Sequence, residues 1–160
     1  MKFKVLLIIM RDKIIEKLYE ISKKPYQKLF KKNKPWNLTK DELLSFPPGS
    51  LGFHLGKFLE LNAFDIQEKL EDHDIIHVLT NTGITVTDEI GMQYYLLGNG
   101  KKSLYLYLVI ITGTIFYPMH LKNFLKEYNR GKKAHMYYQL DFLKLLNVPT
   151  DTLRKAFNIN

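Results

Sequence analysis

Along this chain the apolar positions are grouped by helical punctuation, with caps ahead of each group and breakers behind it, so the pattern predicts a succession of helices. From Arg11, Ile14, Ile15, Leu18 and Tyr19 fall on one side of a helix and Lys13, Lys17 and Lys24 on another, the signature of an amphipathic helix. Thr39-Lys40-Asp41-Glu42 has the form of a capping box before a short helix that Phe46-Pro47-Pro48-Gly49 ends, and Ser50 caps a second helix reaching about Asn62. Asp65-Ile66-Gln67-Glu68 is another capping box. On the helix it opens, Ile66, Leu70, His73 and His77 form the stripe that turns toward a core, so two histidines sit where hydrophobes are expected.

That helix should stop near Asn81-Thr82-Gly83, since glycine and the β-branched run Ile84 to Thr87 disfavour its continuation. Thr87 is expected to cap the next helix, with Asp88 and Glu89 in its first turn, where the helix dipole favours carboxylates. Gly98-Asn99-Gly100 ends it. Leu104 to Met119 is a long uncharged stretch, interrupted by Thr112, Gly113, Thr114 and Pro118, which reads as a core helix rather than a membrane span. Gly131 is expected to divide a helix around Leu121 to Tyr128 from another around Ala134 to Leu146, and Pro149-Thr150-Asp151 opens a last short helix ending near Phe157. The expected fold is an all-α, single-domain multi-helix bundle.

The break at 81 to 87 decides the chemistry. On one continuous helix Glu89 would lie roughly 18 Å beyond His77 at 1.5 Å per residue, but with a turn between them the two residues face each other across a helical hairpin. His73 and His77, one turn apart on a single face, with Asp74 flanking them and Glu89 returning, make a set of nitrogen and oxygen ligands suited to a divalent ion. Nitrogen-rich coordination favours Zn²⁺, though Fe²⁺ or Mn²⁺ accepts the same set. The rival reading is a structural polar cluster, each member satisfied by its own hydrogen bonds. His54 reads as an ordinary, partly exposed histidine, and His120 and His135 have no companion carboxylate at useful spacing.

Composition narrows the alternatives. There is no cysteine, which excludes disulfides, thiolate ligands and a Cys nucleophile. The net charge of +8 belongs to residues 1 to 34, where eleven Lys or Arg face only Asp12, Glu16 and Glu20; the remainder of the chain holds thirteen charges of each sign. This favours an N-terminal arm, residues 1–45, that docks on a membrane or a partner over a nucleic-acid-binding surface spread across the domain at 46–160. Val5 to Met10 is too short to span a membrane and lacks a signal-peptide cleavage site.

The stretch His73-Asp74-x-x-His77, then eleven residues, then Glu89 resembles the signature of the Coq-four family of coenzyme Q (ubiquinone) biosynthesis proteins. Pro48-Gly49-Ser50-Leu51-Gly52, the continuation His77-Val78-Leu79-Thr80, and Val148-Pro149 through Leu153-Arg154 to Phe157-Asn158-Ile159 are similar to that family as well. Ser50 stands where threonine is common and Leu55 where tyrosine is common. The resemblance covers roughly Phe46 to Ile159. It implies an all-α protein whose metal, usually zinc, is held by His73, Asp74, His77 and Glu89 beside an apolar pocket for a polyprenyl tail. It further implies peripheral association with the inner face of a membrane, on the bacterial cytoplasmic side or at the mitochondrial inner membrane. Its expected partners are other quinone-biosynthesis proteins and, in a homo-oligomer, further copies of the chain. The chemistry implied is that of a lyase, an oxidative decarboxylation at C1 of a prenylated hydroxybenzoate. Leu104 to Met119 would then line the tunnel for the isoprenoid chain. Two other classes stay open: a non-catalytic lipid-binding scaffold whose metal orders the hairpin, and a metal-dependent hydrolase, since His-x-x-x-His also spaces the zinc ligands of metalloproteases.

Overall fold

The computed structural model describes residue 13, residues 35–66 and residues 71–160. The amphipathic helix expected from Arg11 lies outside the described residues, as do Leu70 and the end of the Asp65–Glu68 capping box. Among the described residues from 35 onward, seven α-helices and no strands follow in order: α1 (Lys40–Leu44), α2 (Leu51–Leu61), α3 (Glu71–Thr80), α4 (Val86–Gly98), α5 (Leu104–Phe116), α6 (Leu121–Lys133) and α7 (Thr150–Ala156), with short 3₁₀ turns at Pro118–His120 and Phe142–Leu145. The all-α single-domain bundle expected from the sequence is the architecture found.

The caps lie largely where the residues called for them. Thr39 Oγ1 accepts from the Glu42 N–H while Glu42 reaches back to the Thr39 N–H, closing a capping box, and Ser50 caps α2. The remaining donors at the start of α2 go to the far end of the chain: the N–H groups of Leu51 and Gly52 donate to the carbonyls of Val148 and Leu146 at 2.9 Å each. His54 Nδ1 meets Thr150 Oγ1 at 2.8 Å, which makes it a tie between α2 and α7. Leu43, Leu51, Leu55 and Leu59 enter one core with Ile75, Leu79, Met92 and Tyr95.

The most closely packed pair is α4 against α6, and two glycines make it. A Cβ on Gly98 would be driven into the Tyr128 carbonyl oxygen, and a Cβ on Gly131 into that of Tyr95, so the backbones touch where only hydrogen fits. Gly131 therefore does not divide two helices as expected; α6 runs through it to Lys133. The expected helix around Ala134 to Leu146 is also absent, for a tertiary reason. Buried Asn99 donates from Nδ2 to the carbonyls of Gly131, Ala134 and His135 and accepts the Tyr137 N–H on Oδ1, and the His135 N–H goes to the Phe157 carbonyl. With backbone groups satisfied sideways, the chain leaves the helix at Ala134 and regains helical form only in the 3₁₀ turn Phe142–Leu145.

The stretch at Leu104 departs most from expectation. Rather than a core helix, α5 buries only Leu106 and Gly113, while Leu104, Leu108, Ile111 and Ile115 are 65%, 54%, 56% and 68% exposed. It packs on α4 through Ile90 against Gly113 and through Tyr94 Oη, 2.6 Å from Thr114 Oγ1. No single described helix is long and apolar enough to cross a membrane.

Candidate metal centre

The hairpin that carries the site is set by the turn after α3. Asn81 takes a left-handed conformation (φ 54°), and the Thr82 N–H reaches back to the His77 carbonyl at 3.2 Å, the long bond of a Schellman motif. The same turn aims the Thr82 carbonyl at the His77 ring, whose Nδ1 lies 3.2 Å away. A carbonyl only accepts, so Nδ1 carries the proton, and in the neutral ring Nε2 is left with its lone pair. Phe58 from α2 stacks on the imidazole at 5.4 Å and 17°. One turn and one aromatic ring thus fix the orientation and tautomer of His77.

Helix α4 begins two residues earlier than expected. Its cap is Thr85, not Thr87: Thr85 Oγ1 accepts from the Asp88 N–H, and Asp88 Oδ2 accepts in return from the Thr85 N–H and hydroxyl. Thr85 wins because it stands three residues before an acid and closes a reciprocal box, whereas Thr87 has Ile90 at that position. Glu89 keeps its place in the first turn, on the side of α4 that faces α3.

Two arginines far along the chain hold the end of α3. Arg154 of α7 donates to the carbonyls of Val78 (2.8 Å) and Leu79 (3.1 Å), and Arg130 of α6 donates to that of Thr80 (3.1 Å). These carbonyls have no partner within the helix, and charge-assisted donors at its negative end satisfy both hydrogen bonding and dipole. Neither arginine carries a sequence signal for this: each also pairs with an acid three residues earlier, Glu127 and Asp151, which reads as an ordinary surface pair.

His73, His77 and Glu89 each present a ligand atom, and these atoms lie within 4.8 Å of one another. His73 Nε2 is 3.1 Å from His77 Nε2, His77 Nε2 is 3.0 Å from Glu89 Oε1, and His73 Nε2 is 3.4 Å from Glu89 Oε2. Zn–N and Zn–O bonds of 2.0–2.2 Å in a tetrahedron separate neighbouring ligand atoms by roughly 3.3 Å, close to these separations, in which each histidine meets a different Glu89 oxygen. Two lone-pair nitrogens and a carboxylate suit Zn²⁺, and equally Fe²⁺ or Mn²⁺. The His77 side chain is 1% exposed while His73 and Glu89 are 20% and 30% exposed, so the site is sealed from below and open at its rim.

Asp74 is the expected ligand the fold does not bring in. Consecutive residues on a helix point about 100° apart, so with His73 turned to Glu89 the Asp74 carboxylate looks to the side, toward Glu71 and a small apolar cavity lined by Trp36, Leu43 and Leu55. Burial raises the Asp74 carboxyl above its ordinary range, against the pull of His73 and His77. Its cavity, about 10 Å³, holds a single water at most, not a prenyl chain. Glu71, buried beside it, accepts the Trp36 N–H at 3.1 Å.

The charges of the three grouped residues are mutually adjusted. Burial alone raises Glu89, but hydrogen bonds and attraction from His73 and His77 outweigh it and hold its carboxyl at about 2. Burial opposes charge on His77 as well, and the Glu89 carboxylate more than compensates, raising the imidazole above its usual value. Proton and metal ion compete for the same nitrogens.

No family model matches the sequence, and none of the curated proteins is similar to it. Among solved structures, a crystal structure from Nostoc punctiforme, provisionally described as a ubiquinone biosynthesis protein, shares the fold with a TM-score of 0.60. The alignment covers 94% of this chain and 82% of that one at 18% identity.

Proposed function

We propose that this chain is a metal-dependent protein of quinone biosynthesis that binds a polyprenylated hydroxybenzoate with its polar head at His73, His77 and Glu89. The observation that carries the reading is the convergence of these three side chains on one point with an open rim. The spacing of the motif, its resemblance to the Coq-four family, and a fold shared with a protein described in terms of ubiquinone biosynthesis all support it.

In this reading His77 is the fixed ligand, its Nε2 lone pair held toward the site by the Nδ1–H bond to Thr82. Glu89 and His73 complete the ligand set at the rim, where the ring's carboxylate and hydroxyl enter. A bound divalent ion supplies Lewis acidity to those oxygens. The net change, CO₂ leaving C1 and a hydroxyl arriving, needs oxygen and oxidising equivalents from outside the chain. The protein's share is to bind the head, orient it and neutralise its charge. The hairpin is tied by its own Schellman turn and by Arg130 and Arg154, ties independent of any ion, and they support a substrate-binding role over a scaffold ordered by the metal.

Titration of the zinc-loaded protein with a prenylated 4-hydroxybenzoate and with its methyl ester tests the reading. The acid should bind at least about tenfold more tightly than the ester, and chelation should abolish that preference while circular dichroism stays unchanged. Equal binding of acid and ester, or a preference that survives chelation, would refute it.

A further inference from the structure

We propose that the exposed face of α5 is a docking surface for an anionic lipid bilayer. Leu104, Tyr107, Leu108, Ile111 and Ile115 fall at helical spacing on one side of α5, and all are exposed. Between Lys102 and Lys122 the sequence has no Lys, Arg, Asp or Glu. The two threonine hydroxyls on this helix do not require water either: Thr112 donates to the Leu108 carbonyl at 2.7 Å and Thr114 to that of Ile110 at 2.6 Å. A side chain bonded to its own helix loses little on entering lipid.

The charge around the face selects the occupant. Residues 98–133 hold seven Lys or Arg against a single acid, Glu127, whereas residues 35–97 hold ten acids against three bases. Charge is thus strongly segregated along the sequence of the near-neutral body, and the apolar helix belongs to its basic stretch. Lys102, Lys122 and Lys126 are exposed beside it. Apolar side chains rimmed by lysines complement a bilayer with anionic headgroups. A second copy of the chain fits worse, because a two-fold interface sets this patch against itself and lysine against lysine. The basic segment 1–34 has the same sign and meets the same objection.

The candidate metal centre lies elsewhere on the fold: α4 turns Ile90 and Tyr94 to α5 and Glu89 to α3, so α4 stands between the ligand set and α5. The docking surface holds whether or not the metal reading does, and its test needs neither metal nor substrate.

Flotation of the intact 160-residue chain with phosphatidylglycerol–phosphatidylcholine vesicles, beside vesicles of phosphatidylcholine alone, tests the proposal. The chain should float with the anionic vesicles and much less with the neutral ones. The combined Leu108→Glu, Ile111→Glu and Ile115→Glu variant, altered only at exposed positions and folded by circular dichroism, should bind at least about a hundredfold more weakly. Lys122→Glu with Lys126→Glu should weaken binding about tenfold. Undiminished flotation of the triple variant would overturn the proposal and assign binding to another segment. A lipid-free dimer that the triple variant dissociates would overturn it in favour of a second copy.

Discussion

Gly131→Ala should unfold the protein at a urea midpoint far below that of the parent chain, with a stability loss of at least about 3 kcal/mol. The added methyl group has nowhere to go, because its nearest neighbour is the Tyr95 carbonyl oxygen, a backbone atom in the last turn of α4 rather than the end of a flexible side chain. Relief requires α4 and α6 to separate, and the separation spreads. Asn99 would lose the Gly131, Ala134 and His135 carbonyls it gathers, and Arg130 would lose its reach to the Thr80 carbonyl. Gly91→Ala is the control on the same pair of helices. There the nearest atom is Cγ of Glu127 at 3.4 Å, at the edge of ordinary contact, so the change should be neutral or stabilising by up to about 1 kcal/mol through helix propensity. Equal losses at both positions would show that backbone proximity is not what holds α4 to α6.

Thermal unfolding with and without Zn²⁺ should respond to pH in opposite senses. Without metal, the raised His77 binds its proton more tightly in the folded chain than in the unfolded one, so its contribution is complete below the ordinary histidine value of 6.5 and is lost as pH climbs through the raised one. Glu89 works in reverse: its contribution is complete above the ordinary 4.5 and is lost as pH falls toward about 2. The ion pair therefore supports the metal-free protein most between those limits. Zn²⁺ must displace the proton that the raised His77 holds, so its stabilisation grows as pH rises. At a thousandfold excess over Kd it reaches about 4 kcal/mol, or roughly 10 °C for a chain of this size, near pH 7.5, and should be far smaller near pH 5.5. Glu89→Gln keeps the shape and removes the charge, and should abolish most of the increment. An increment that is the same at both pH values, or that survives Glu89→Gln, would mean that the ion binds elsewhere.

Local chemistry made much of this fold legible before any coordinates. Capping boxes and αL turns are short-range devices, so Thr39, Ser50, Asn81 and the Gly98-Asn99-Gly100 stop were readable directly, and with them the hairpin that returns Glu89 to His77. What failed depended on partners distant in sequence. Gly131 looks like a break until Tyr95 is set against it, and the segment after Ala134 looks helical until Asn99 takes its backbone groups. The exposure of α5 was hidden in the same way: an apolar run specifies burial in something, and the sequence alone pointed to the core. At the site the two histidines and Glu89 come together as their spacing suggests, whereas Asp74 stands outside that group because neighbours in sequence on a helix diverge in space. Arg130 and Arg154, which hold the hairpin's end, left no local trace.

Isothermal titration of the chelator-stripped protein with Zn²⁺ tests the central claim most directly. The account predicts one ion per chain, and no binding at that site in either His77→Ala or Glu89→Ala while Asp74→Asn retains it. Failure of the parent chain to bind stoichiometrically, or undiminished binding in the Glu89→Ala protein, would contradict it.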